Sequence, residues 1–151
     1  MSDKKLTNKM TFEQLLERDG VLVYTNVGTS MLPLIRQGRD LLIIKKAEGR
    51  LKKYDVALYR RDSGQYVLHR ILKVRKDDYV ICGDNQYRKE TGITDRQVIG
   101  VLTGIVRDGK EFTLDRMGSS YKWYLFFRCD LFLIRAAMLR AKGLLNRWKH
   151  K

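Results

Sequence analysis

From Val21 to Leu114 the chain never sustains a helical period, and its apolar residues come in short runs closed by turn residues. The runs Val21–Val27, Asp40–Lys46, Asp55–Arg60, Tyr66–Arg75, Asp78–Cys82 and Val98–Val106 are rich in Val, Ile, Leu and Tyr, side chains that suit a pleated surface. Gln37-Gly38, Glu48-Gly49, Ser63-Gly64 and Asp77-Asp78 separate them. Asp108-Gly109 is a hairpin signal that returns the chain along Lys110–Leu114. A segment punctuated in this way folds as antiparallel sheet, so the expectation is a mainly β body with partly barrel-like sheets.

The two ends follow a different rule. Thr11 and Gln14 have capping-box spacing, which predicts a short helix over Phe12 to Arg18, closed by Gly20. After Met117-Gly118, Trp123, Phe127, Leu131, Ile134, Met138 and Leu145 recur at steps of three, four and seven. This predicts a long amphipathic C-terminal helix. Arg128, Arg135, Lys142 and Lys149 form a cationic stripe along it. Between Tyr121 and Lys151 there are eight Lys or Arg and one acid, Asp130, so the tail carries +7 of the net +14. The chain is therefore read as two units: residues 1–117, a β-rich body with a polar N-terminal arm and a short helix, and residues 118–151, a cationic helix. Packing of that helix on the β body or on a second subunit is favoured. The other reading lays it on an acidic membrane, with Trp123, Tyr124, Phe126 and Phe127 near the headgroups.

A chain of 151 residues fits one compact domain. Its positive charge favours an anionic partner, but no interleaved aromatics on a basic sheet point to a specific nucleic acid. Residues 1–9 are polar, and no window approaches the roughly 20 apolar residues of a spanning helix. The expectation is a cytoplasmic protein, at most peripheral at the inner face of the membrane. Cys82 and Cys129 sit in no metal-ligand spacing, so reduced thiols and no metal or other cofactor are expected.

The segment Gly28-Thr29-Ser30-Met31-Leu32-Pro33, followed by Gly38-Arg39-Asp40, has the form of a rigid turn that exposes a serine. A serine hydroxyl attacks a carbonyl only when a base removes its proton. A helix starting near Met31 would aim free N–H groups at Ser30, as an oxyanion site requires. His69 lies mid-strand in Val67-Leu68-His69-Arg70-Ile71 and is a suitable base. Cys82-Gly83-Asp84-Asn85, then Asp95-Arg96, offer carboxylates to orient it. Each feature alone also fits a cap, a sheet histidine or a turn.

Together these residues resemble the signal peptidase I family, over about residues 21–107. Ser30-Met31-Leu32-Pro33 matches the nucleophile box, and Gly38-Arg39-Asp40 matches the following Gly-Asp box with one inserted residue. His69-Arg70 stands where bacterial members have lysine followed by arginine, as in the histidine-type members. Gly83-Asp84-Asn85 and Asp95-Arg96 match the closing box. The resemblance implies a serine endopeptidase that cleaves a peptide or protein precursor after small residues, with the substrate bound as an added strand. It implies Ser30 as nucleophile, His69 as general base and Asp84 or Asp95 as the orienting acid, with Asp95 preferred. It implies the Ser30 N–H as an oxyanion donor and Gly28, Met31 and Pro33 as substrate contacts. The family's membrane anchor and large inserted domain have no counterpart in these residues, and the stretch from Asp84 to Asp95 is longer than a minimal closing box. Residues 1–20 are too short for the helix-turn-helix domain of the related self-cleaving repressors. The alternative reading, from charge alone, is a non-catalytic basic module that binds an acidic membrane surface or nucleic acid.

Overall fold

The computed structural model describes residues 10–25, 27–116 and 118–149. Helix α1 (Phe12–Asp19) starts at Thr11, whose hydroxyl accepts the Gln14 N–H at 3.3 Å while Gln14 Oε1 accepts the Thr11 N–H at 2.9 Å. Gly20, at φ +69°, closes it in the left-handed conformation that costs glycine nothing. The helix buries Leu16 and sets Phe12 between the rings of Tyr24 and Tyr66, with centroids 5.2 and 4.8 Å away.

Eight strands follow: β1 (Val21–Thr25), β2 (Asp40–Lys46), β3 (Val56–Arg60), β4 (Tyr66–Val74), β5 (Tyr79–Cys82), β6 (Glu90–Ile93), β7 (Val98–Arg107) and β8 (Lys110–Thr113). All pairings are antiparallel, in the order β1-β2-β7-β3-β4-β5-β6, with β8 folded back on β7. Seven of the strands lie where the apolar runs predict them. The eighth, β6, corrects the reading of Asp84 to Asp95 as one long loop; four residues with a central Gly92 carry too little alternation to announce a strand. The sheet is open, where partial closure into a barrel is expected. The second edge of β7 is taken by β3 at Val98–Val101 and by β8 at Gly104–Arg107, which leaves β1 and β6 at the two rims.

Alternation along the strands gives the sheet two buried faces. On one, Leu42, Ile44, Leu58, Leu68 and Leu102 pack with Leu16 of α1 and with Met31, Leu34 and Ile35. On the other, Ala57, Tyr59, Ile71, Tyr79 and Ile81 pack with Leu51 and Ile93. Each fully buried Leu or Ile contributes about 1.5–3 kcal/mol. The same period sends Arg70 to the first face and His69 to the second.

The tail is not one helix. It runs as α2 (Gly118–Leu125), a π turn (Phe126–Asp130) and α3 (Phe132–Lys149). Leu131 leaves helical geometry at φ −92°, ψ 33°, and the Asp130 carboxylate is tied to Lys53 Nζ at 2.6 Å and to the Tyr54 hydroxyl at 2.8 Å. The wide turn shifts the register of the apolar stripe. Cys129, Phe132, Arg135 and Ala136 go inward, while Trp123, Phe127, Ile134 and Met138 stand 57–67% exposed. The stripe that predicts packing thus faces largely outward, and another face of the tail covers the sheet. Among the described residues no helix is long and apolar enough to cross a membrane.

Candidate active site

β1 ends at Thr25, ahead of Gly28, which takes φ +105°. A side chain there would be strained, so glycine suits the entry to the serine turn. Ser30 is half-buried in a run of turns, with the Leu32 N–H bonded to Thr29 O at 3.2 Å and the Ile35 N–H to Met31 O at 2.9 Å. The helix expected from Met31 does not form: Pro33 brings no N–H, and the Arg36 N–H is taken by the Asp40 carboxylate at 2.8 Å. No helix dipole therefore points at Ser30. Its own backbone N–H bonds to no protein atom among the described residues, and neither does its hydroxyl.

Two anchors hold this segment. Met31, Leu34 and Ile35 are buried in the first core. Met31 is wholly inaccessible, so the expectation that it contacts substrate is corrected: it is a core side chain. Asp40, also fully buried, receives Arg107 Nε at 2.8 Å and Nη2 at 2.6 Å, and the same Nη2 donates to Leu34 O at 2.9 Å. The hydrogen bonds from Arg107 hold the Asp40 carboxyl below the ordinary carboxylate range. Asp40 of the Gly38-Arg39-Asp40 box thus ties both ends of the serine segment to β7. Pro33 is exposed and borders a groove of about 270 Å³ with Leu34, Ile105, Phe112, Tyr121 and Tyr124.

His69 sits across from Ala57 of β3, 4% exposed. Its Nδ1 lies 3.2 Å from Glu90 Oε1 and 3.3 Å from the Tyr59 hydroxyl. That hydroxyl donates to Glu90 Oε1 at 3.0 Å, and Arg61 holds the same carboxylate with Nε at 2.8 Å from Oε2 and with Nη2 on Oε1. The phenolic hydrogen is spent on Glu90, and a carboxylate only accepts, so the neutral ring carries its proton on Nδ1. The lone pair is left on Nε2. Among the described residues that atom makes no hydrogen bond. Burial lowers the His69 pKa against the opposing pull of Glu90. Burial alone would raise Glu90, but the hydrogen bonds from Arg61 and Tyr59 and the charge of Arg61 keep it low and ionised.

The Gly83-Asp84-Asn85 segment touches the serine turn and, through Asp84 and Arg70, strand β4. Arg70 pairs with Cys82 across β4 and β5, and Gly83 follows directly where β5 ends. A Cβ on Gly83 would meet Ser30 O at 2.7 Å, so the serine turn rests in the space that Gly83 leaves. Asn85 secures this contact: its N–H donates to Ser30 O at 2.7 Å and its Nδ2 to Thr29 O at 3.2 Å.

The aspartates have other tasks. Asp84 is buried and pairs in two-pronged fashion with Arg70, both bonds at 2.8 Å, while the Tyr124 hydroxyl also donates to its carboxylate. Its carbonyl accepts Arg128 Nη1 and Arg135 Nη1 at 2.8 Å each. Asp95 binds Arg50 at 2.7 Å and the Tyr79 hydroxyl. Neither bonds to His69; the carboxylate that does is Glu90. Glu90, Tyr59 and Arg61 escape the sequence reading because Glu90 stands among exposed Arg88 and Lys89 and only pairing across three strands aims it at the imidazole. Among the described residues no group of three His, Cys, Asp or Glu side chains is gathered for a metal, and both cysteines are buried free thiols. No family model, no curated protein and no solved structure matches the chain.

Proposed function

We propose that this chain is a serine endopeptidase of the signal peptidase type, acting on a peptide or protein precursor after small residues. The observation that supports it most is the Gly83-Asp84-Asn85 contact, which ties the Ser30 turn to the end of β5, while the neighbouring Asp84 grips Arg70, the residue next to His69 on β4. Ser30 Oγ attacks the scissile carbonyl, and Nε2 of His69 takes its proton and returns it to the leaving amine. Glu90 holds the opposite nitrogen and stabilises the imidazolium as it forms. The free N–H of Ser30 supplies one oxyanion donor. β1, an edge strand that leads into the serine turn, offers its unpaired rim for a substrate strand.

The test is turnover of internally quenched precursor peptides with alanines before the cut. Ser30→Ala and His69→Ala should each lose at least ~10³-fold with the sheet intact by circular dichroism. Cleavage by Ser30→Ala at the wild-type rate ends this reading.

Peripheral contact with acidic membrane is part of the proposal. Trp123, Phe127, Leu133, Ile134, Met138 and Trp148 are exposed on a tail with net charge +7, an apolar face with a cationic fringe. Vesicles rich in phosphatidylglycerol should retain the protein, and a Phe127→Ser, Met138→Ser variant should be released. Retention of that variant unchanged would remove lipid from the proposal and leave the peptidase untouched.

A further inference from the structure

A cleft of about 540 Å³ opens between the two groups that support the site, Asn85 on the serine side and Glu90 on the histidine side. Arg61, Tyr87, Arg88 and Lys89 complete its walls. The charges are unequal. Glu90, the acid of the lining, is already neutralised by Arg61. Arg88 and Lys89 are exposed and have no carboxylate partner among the described residues. Arg140 from α3 lies over the Tyr87 ring at 5.2 Å and is also without one. Lys89 rests its ammonium over Phe132 at 4.1 Å, which holds it at the rim. By contrast Arg50, Lys53, Arg61, Arg70 and Arg107 all face a carboxylate. Three cations without a carboxylate partner among the described residues are thus collected at or beside one opening, whose lining includes Asn85, which bonds Ser30 O, and Glu90, which contacts His69.

We infer that this cleft selects precursors carrying acidic side chains beside the cleaved bond. The inference rests on the peptidase reading and adds a substrate class to it. An acidic flank in the cleft meets Arg88, Lys89 and Arg140, while a basic flank meets like charge and is turned away. Each exposed pair is weak, so selectivity comes from several together and fades as salt screens them.

Binding is measured on the full chain carrying Ser30→Ala, by fluorescence anisotropy. The probes are two labelled peptides with the same Ala-Gln-Ala centre, flanked by Glu in one and by Gln in the other. The Glu peptide should bind about tenfold tighter at low salt. Arg88→Glu with Lys89→Glu should erase the difference, and a control pair on another surface, Lys45→Glu with Lys76→Glu, should preserve it. Equal affinity for both peptides, or none for either, overturns the inference. So does a control pair that erodes the preference as much as the cleft pair, because the net charge then suffices. Persistent Glu preference without turnover by the wild-type chain would sink the peptidase reading and leave the acidic-peptide site standing.

Discussion

His69 owes its tautomer to side chains from other strands. The Tyr59 hydroxyl and the Glu90 carboxylate converge on Nδ1, and Arg61 keeps the carboxylate charged. The consequence for pH follows from the direction of the shift. Burial lowers the imidazole pKa, so the ring is neutral in the fold at pH values where the unfolded chain begins to protonate it. The stability it confers is present above the ordinary value of 6.5 and is lost as pH falls through the depressed one. kcat/KM should rise through an apparent pKa below 6.5 and stay flat across neutrality. Glu90→Gln should move that limb to still lower pH and cut kcat by roughly 10²- to 10⁴-fold. Nitrogen NMR of the ring reads the same loss as a mixture of tautomers, an observation that needs no substrate. An unchanged ring spectrum would mean that Glu90 does not orient His69. Gly83 is the second decisive residue. Gly83→Ala places a methyl 2.7 Å from Ser30 O, so it should destabilise by about 1–3 kcal/mol in urea and depress turnover together.

Among the elements, the serine segment is held from outside rather than by its own backbone. Asp40 grips the Arg36 N–H and Arg107, and Arg107 grips Leu34 O. Asp40→Ala would leave the partly buried Arg107 without its partner and cost about 3 kcal/mol, measured by denaturant unfolding. Because Arg107 depresses the Asp40 pKa, the same support is fully present above the ordinary carboxylate value and is lost as pH falls through the depressed one. Much of this architecture was legible beforehand. Seven strands and α1 show in local pattern, since a two-residue alternation and a capping box are written in adjacent residues. The order of Ser30, His69 and Gly83-Asp84-Asn85 could also be read. What could not be read depends on register. β6 has no alternation to betray it, and only its pairing with β5 reveals that Glu90 rather than Asp95 reaches the imidazole. The tail was misread for a similar reason: one π turn moves a helical stripe from the inner face to the outer.

For the whole molecule the net charge of +14 dominates behaviour toward partners. Retention on anionic vesicles should fall steeply between 50 and 300 mM salt, on the order of a tenfold loss or more, as the Debye length shrinks. Salt-independent retention would assign the contact to the apolar face alone. The tail also reaches the side of the proposed site. Arg128 and Arg135 both end on the carbonyl of Asp84, and Tyr124 ends on its carboxylate. Asp84 is the immediate neighbour of Gly83 and Asn85, on which the Ser30 carbonyl rests. The segment from Gly118 to Lys149 is thus a keystone laid across the arch of the proposed cleavage site. Shaving it away with a protease should silence the remaining fragment even though the proposed nucleophile, base and orienting acid all survive in it.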